Sequence, residues 1–119
     1  MIQQILLVAV LFAPPPVKKD EAYWRDHFAP KYQADTDFRI PGTRRHCDLV
    51  TRTEAIEIDW ETKHYEGLGQ ALSYGLALGR KPALLLLDRG REKDRWRIKD
   101  AEDVCRRYCI TLYVEEVPE

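Results

Sequence analysis

The sequence predicts a single α/β domain in which helices flank a mixed central sheet. Three observations support this fold class: two short strands separated by a tight turn over residues 44–60, a continuous apolar strand at Pro82–Leu87, and helical segments around that strand. A short turn joins antiparallel strands, whereas a helix between strands favours a parallel crossover. The predicted order is therefore αβββαβαβ, with an antiparallel opening followed by parallel crossovers. The 119 residues, 45% of them hydrophobic, suffice for one modest core, which we assign to residues 18–119.

Residues 1–17 are predicted to lie outside this domain. Ile2–Ala13 is a short apolar run, and Pro14–Pro16 follows it as a boundary. The run has the length of a signal-peptide core and is too short to span a bilayer as a helix, although it lacks the positive start of a secretory signal. Two interpretations stay open: an atypical export signal, or an N-terminal segment that remains attached to a cytoplasmic protein.

The first elements follow from capping and turn residues. Asp20–Phe28 is predicted as a helix that Asp20 caps, because its aromatic residues form an apolar stripe. Ala34–Ile40 is predicted as a strand, and the turn signal Pro41-Gly42 separates it from a second strand, Arg44–Val50.

The third strand and the helix after it carry most of the polar residues of interest. Residues 51–53 turn the chain into the strand Glu54–Trp60, on which Glu57 and Asp59 share one face because side chains alternate. A helix is predicted from Thr62 to Leu78, ended by Gly79. Because no charged residue occurs from Gly67 to Gly79, we expect this helix to be buried on most sides. It has two stripes, Tyr65 with Leu68, Leu72 and Leu76, and opposite them Lys63, Gly67, Gln70 and Tyr74.

The last part of the chain completes the sheet. Pro82–Leu87 is typical of a central strand covered on both faces. A charged loop then leads to a helix at Ala101–Tyr108 and a final strand at Ile110–Val114.

Three carboxylates form the strongest chemical signal. If the second and third strands pair as a hairpin, Asp48, Glu57 and Asp59 converge at one edge. Carboxylate oxygens are the ligands that Mg²⁺ or Mn²⁺ would take, with water and phosphate filling the other positions. Such an ion suits phosphodiester hydrolysis, since it neutralises developing charge and lowers the pKa of an attacking water. The alternative is three solvated residues on an exposed sheet face.

The overall charge limits how the chain could bind nucleic acid. A net charge of −1 excludes a broadly polybasic protein, so binding would depend on a local basic patch or on bound metal. Candidate patches are residues 44–46 and the run 89–99, in which acidic residues are interleaved.

The element order, the acid in the second strand and the acid pair in the third resemble the PD-(D/E)XK nuclease superfamily, which has the restriction-endonuclease-like fold. In this resemblance Asp48 is the motif aspartate, Glu57 the motif acid and Ile58 the spacer. The motif lysine is replaced by Asp59, and Lys63 is the candidate substitute, the alternative being an exposed residue of the first helical turn.

Further residues enter through the same resemblance. Gln70 and Tyr74 match the QxxxY motif of the exonuclease branch and would orient Lys63, metal-bound water or phosphate, unless they only hydrogen bond within a buried interface. Glu21 on the first helix is a candidate for the distal acid that some relatives use.

The resemblance implies a bacterial, Mg²⁺-dependent nuclease acting on DNA, with Asp48, Glu57 and Asp59 as metal ligands and Lys63 as the catalytic cation. Because the lysine is displaced, the alternative is a catalytically inactive module that binds nucleic acid or a divalent metal. A monomer and a homodimer both stay open.

Overall fold

The computed structural model describes residues 16–119, and these form a five-stranded mixed sheet with three helices. The elements in chain order are α1 (Glu21–Tyr32), β1 (Asp35–Arg39), β2 (His46–Val50), β3 (Glu54–Trp60), α2 (His64–Leu78), β4 (Lys81–Asp88), α3 (Arg95–Tyr108) and β5 (Thr111–Glu116). Single 3₁₀ turns at Glu61–Lys63 and Glu92–Asp94 lead into α2 and α3. The predicted α/β class, with a mixed sheet flanked by helices, is confirmed.

The strands lie in the sheet in the order of the sequence, β1-β2-β3-β4-β5. The first three pair antiparallel, and β4 and β5 then add in parallel to β3. Both parallel connections contain a helix, α2 and α3, as a crossover requires. The antiparallel opening followed by parallel crossovers agrees with the order expected from the sequence.

The helices cover the two faces of the sheet separately. Trp24 and Phe28 of α1 pack against one face, beside Ile56 and Ile58 of β3. On the other face, side chains of α2 and α3 enclose the alternate residues of β4 in a second cluster, whose members are Leu68, Leu84, Leu86, Ala101, Cys105 and Ile110. Because β4 is covered on both sides, its continuous apolar sequence is explained.

The expectation that α2 is buried on most sides is wrong. Tyr65, Leu72 and Leu76 are 62%, 47% and 86% exposed, so most of the predicted leucine stripe faces solvent. The helix packs instead through small residues, and a Cβ at Gly75 would lie 2.9 Å from the carbonyl oxygen of Arg80. The small residues let the helix approach the sheet closely, and they carry no hydrophobic signal that sequence patterning detects.

Helix α3 begins six residues before the predicted start at Ala101. The charged run is therefore not the loop that its composition predicts, because its charges lie on the outer side of an amphipathic helix that buries Ala101 and Cys105. Ion pairs one turn apart follow this outer side, for example Lys99 with Asp103 at 2.8 Å.

Within residues 16–119, no helix combines the length and the apolar character needed to cross a bilayer. Of the predicted N-terminal segment, residues 1–15 lie outside the part of the chain that the structure describes.

Candidate active site

The regular sheet is interrupted around Asp48. On one side of β2, Asp37 of β1 has a positive φ of 51°, which is uncommon for a residue other than glycine. On the other side, pairing of β2 with β3 is limited to two residue pairs, Leu49 with Ile56 and Val50 with Ala55. The backbones of β2 and β3 are therefore not paired from Asp48 towards the start of β2.

This interruption changes the direction of the Asp48 side chain. Asp48 lines a cleft with residues of α1, and Leu49 also packs against α1. Cys47 and Val50 both belong to the cluster around Tyr74 on the opposite face. Two successive residues thus face α1, and the alternation of the strand is broken between positions 48 and 49.

The carboxyl groups of Asp48 and Glu57 occupy the gap between the two strands. The Ile58 N–H donates to Asp48 Oδ2 at 2.9 Å, and the Asp48 N–H donates to Glu57 Oε1 at 3.2 Å. These side-chain bonds replace the missing backbone ladder, so both carboxyl groups are fixed by the main chain. The two carboxyl groups also lie within hydrogen-bonding reach of each other.

Burial of these acids makes their ionisation unfavourable. Glu57 is 4% exposed, and burial, together with the neighbouring Asp48 charge, raises the pKa of Glu57 to about 9. Burial also raises the pKa of Asp48, opposed by the Ile58 N–H and by the positive charge of Arg25. Two neighbouring carboxyl groups whose pKa values are both raised form a site where a cation would be favourable.

Asp59 lies against α2 at the same end of the sheet. Burial raises the pKa of Asp59 to about 8, and the negative charge of Glu21, within hydrogen-bonding reach, contributes. The absence of a side chain at Gly67 makes room for it, because a Cβ there would lie 3.2 Å from both Cβ and Oδ2 of Asp59 and 2.7 Å from Leu84 Cδ1. The charge of Asp59 also raises the pKa of Glu57, which places the three acids in one electrostatic cluster.

Lys63 lies at the mouth of the same cluster. Its Nζ is 3.8 Å from Glu21 Oε1, and its positive charge lowers the pKa of Asp59. The cleft has a volume of about 470 Å³ and is lined by Asp20, Glu21, Ala22, Arg25, Asp48, Trp60 and Lys63. The structure therefore brings Lys63 and the candidate distal acid Glu21 to the site, with Lys63 paired to Glu21.

Gln70 and Tyr74 lie further along α2. Tyr74 is 6% exposed and packs with Ile40 and Cys47. Burial raises the pKa of its phenol, and the negative charge of Glu57 raises it further. Tyr74 is thus close to the carboxylates, and Gln70 is half-buried on the same helix.

The donor set fits a hard divalent cation held in part by water. Among residues 16–119, no three His, Cys, Asp or Glu side chains surround a common point as a complete protein-only site would. Mg²⁺ usually keeps several waters and takes one or two carboxylates from the protein, and Asp48 and Glu57 could supply these two. Asp59 is next to them but is also within hydrogen-bonding reach of Glu21.

Two contributors to the site were not singled out from the sequence. Gly67 has no side chain that could indicate a functional role. Only its place in the helical stripe with Lys63 and Tyr74 associates it with the site. Arg25 of α1 lies close enough to favour ionisation of Asp48, and it also forms ion pairs with Asp26 and Asp37. Its position depends on how α1 packs on the sheet, which local patterning does not specify.

Comparison of the chain with protein-family models, curated proteins and solved structures found no match. The function of the site must therefore be inferred from its own residues and geometry.

Proposed function

We propose that this protein is a metal-dependent nuclease that hydrolyses DNA phosphodiester bonds in the gap between β2 and β3. The observation that carries the proposal is the pair Asp48 and Glu57, a half-buried and a buried carboxyl group that replace the backbone pairing and lie next to each other. Keeping two acids in a gap of the sheet is unfavourable for folding. A site for a divalent cation accounts for that arrangement.

The fold is proposed to be of the restriction-endonuclease-like type. The order αβββαβαβ supports this, as does the sheet that opens antiparallel and continues in parallel. The candidate acids occupy the second and third strands at one end of the sheet, as the PD-(D/E)XK resemblance requires.

Each residue then has a defined task. Asp48 and Glu57 would hold Mg²⁺ or Mn²⁺, with Asp59 assisting. The bound ion would neutralise charge on the phosphate and lower the pKa of an attacking water. In the net reaction the water oxygen bonds to phosphorus, the ester P–O bond breaks, and the leaving oxygen takes up a proton.

Lys63 supplies the positive charge of the motif lysine, because the motif position itself is occupied by Asp59. At the mouth of the cleft its ammonium would stabilise the negative charge that develops on the phosphate. Its side chain is 54% exposed, so it can turn from Glu21 towards a bound substrate at little cost. Gln70 and Tyr74 would help to orient Lys63, water or phosphate.

A cleavage assay tests the proposal. Purified protein is incubated with supercoiled plasmid and with single-stranded DNA, in the presence of Mg²⁺, Mn²⁺ or a chelator. We expect cleavage with either ion and none with chelator. Glu57→Gln, which keeps the shape but removes the charge, should lower the rate at least about 100-fold, equivalent to about 2.7 kcal/mol. Absence of cleavage by the wild type on all DNA forms would refute the nuclease proposal.

A second candidate function is an inactive module that binds nucleic acid or a divalent metal. The observation that favours it is the pairing of Lys63 with Glu21, together with an acid at the position of the motif lysine. Salt-sensitive DNA binding without cleavage would support this alternative.

A further inference from the structure

The loop between β1 and β2 is held in one conformation by its own hydrogen bonds. The Ile40 N–H donates to the Arg45 carbonyl at 2.9 Å, and the Thr43 N–H donates to the Ile40 carbonyl at 3.1 Å. The Thr43 hydroxyl donates to the Ile40 carbonyl at 2.9 Å and accepts from the Arg45 N–H at 3.0 Å. Ile40 is 2% exposed and anchors the loop in the core. A preorganised loop loses little conformational entropy when a ligand binds to it.

Arg45 extends from this loop over the ring of Tyr74. Its guanidinium carbon lies 5.6 Å from the ring centroid, within the range of a cation–π contact. Among residues 16–119 no carboxylate lies within ion-pair distance of Arg45, which is exposed. In the described part of the chain, its positive charge is therefore held over the ring with no neighbouring acid to neutralise it.

This charge lies next to the gap that contains the carboxyl groups. Arg45 is three residues before Asp48, about 10 Å along an extended chain. Tyr74 packs with Cys47, the residue that precedes Asp48, and Arg45 lies over the Tyr74 ring. Tyr74 is thus the shared neighbour of Arg45 and the acids, and Arg45 and Lys63 are cations beside the same site.

We propose that Arg45 binds a backbone phosphate of the DNA and holds the strand beside the carboxylate gap. This inference rests on the proposed function and adds the residue that positions the substrate. A site built from acids repels a polyanion, so a fixed cation beside it is needed for binding. Arginine is suited to this task because its planar guanidinium donates two parallel hydrogen bonds to phosphate. Lys63 already has an acidic partner, whereas Arg45 has none within residues 16–119.

Arg45→Gln tests the inference, with Arg44→Gln as the matched control. Both side chains are exposed on the same loop, but Arg44 has no aromatic ring beneath it among the contacts of the described chain. Binding of a labelled single-stranded oligonucleotide is measured by fluorescence anisotropy across salt concentrations, with Ca²⁺ in place of Mg²⁺. Arg45→Gln should weaken binding about 10- to 100-fold, the range for a lost hydrogen bond to a charged group. It should also reduce the salt slope by about 0.7, as for one lost phosphate contact.

The control should change affinity less than about 3-fold, and Arg45→Lys should restore part of the loss. Equal effects of the two glutamine variants, or wild-type affinity in Arg45→Gln, would overturn the assignment. If the wild type cleaves DNA and Arg45→Gln has an unchanged KM, the inference fails while the nuclease proposal stands. If the wild type binds without cleaving, the nuclease proposal fails and the affinities still decide the role of Arg45. If the wild type does not bind DNA, both are refuted.

Discussion

The stability of the metal-free protein should fall as the pH rises through neutrality. The pKa of Glu57 is raised to about 9 and that of Asp59 to about 8 in the folded protein. In the unfolded chain both groups lose their protons near pH 4. Between these values the folded state binds more protons than the unfolded state, so the free energy of unfolding decreases with increasing pH.

The slope can be worked out from the number of protons. Each carboxyl group that stays protonated only in the folded state contributes about 1.4 kcal/mol per pH unit. Glu57 and Asp59 together predict a loss of about 2.7 kcal/mol between about pH 6 and about pH 7. At roughly 4 °C per kcal/mol for a chain of this size, the melting temperature should fall by about 10 °C.

Mg²⁺ should oppose this loss, because it binds the ionised carboxylates and competes with the protons. Thermal unfolding is followed by circular dichroism at several pH values, with and without Mg²⁺. We expect Mg²⁺ to raise the melting temperature at about pH 8 and to have little effect at about pH 5.5. Glu57→Gln, which cannot ionise, should show about half the pH slope and a much smaller response to Mg²⁺. A melting temperature that is constant or rises across this range would refute the assignment of buried, protonated acids.

The other predictions concern single positions and the N-terminal segment. Gly67→Ala should lower the free energy of unfolding by about 1–3 kcal/mol through overpacking, and it should reduce cleavage. A Cβ at Gly69 would meet no neighbouring atom, so Gly69→Ala should raise the free energy of unfolding by about 0.5–1 kcal/mol. Denaturant unfolding measures both changes. Lys63→Met should remove most cleavage but leave the fold and metal binding intact, whereas the control Glu57→Ala should lose both cleavage and metal. Wild-type activity in Lys63→Met would exclude the hypothesis that Lys63 substitutes for the motif lysine. Deletion of residues 1–17 should leave the melting temperature nearly unchanged, because stability follows buried area, and a drop of many degrees would show that the segment belongs to the core.

The sequence predicts best the features that depend on side-chain alternation or on a local capping residue. The strand Glu54–Trp60 has the predicted ends. Ile56 and Ile58 pack with α1, so Glu57 and Asp59 share the other face, as expected. Gly79 ends α2 with a φ of 64°, the left-handed conformation in which glycine is favourable. These features depend on local chemistry that is visible in the sequence.

The details of the site depend on packing between distant parts of the chain. The broken alternation after Asp48 follows from the sheet distortion, for which the sequence of β2 carries no signal. The contact of Lys63 with Glu21 likewise depends on where α1 lies against the sheet. Hydrophobic patterning does not predict the packing face of α2, because Gly67 and Gly75 contribute through the absence of a side chain.

The most direct test of the carboxylate gap as a metal site is a crystal soaked in Mn²⁺ and measured at the manganese absorption edge. We expect an anomalous peak between the carboxyl groups of Asp48 and Glu57, at about 2.0–2.6 Å from an oxygen of each. With the ion bound, both carboxyl groups should be ionised. A map at saturating Mn²⁺ with no peak in the gap, or with these two acids still bonded to each other, would contradict the metal site.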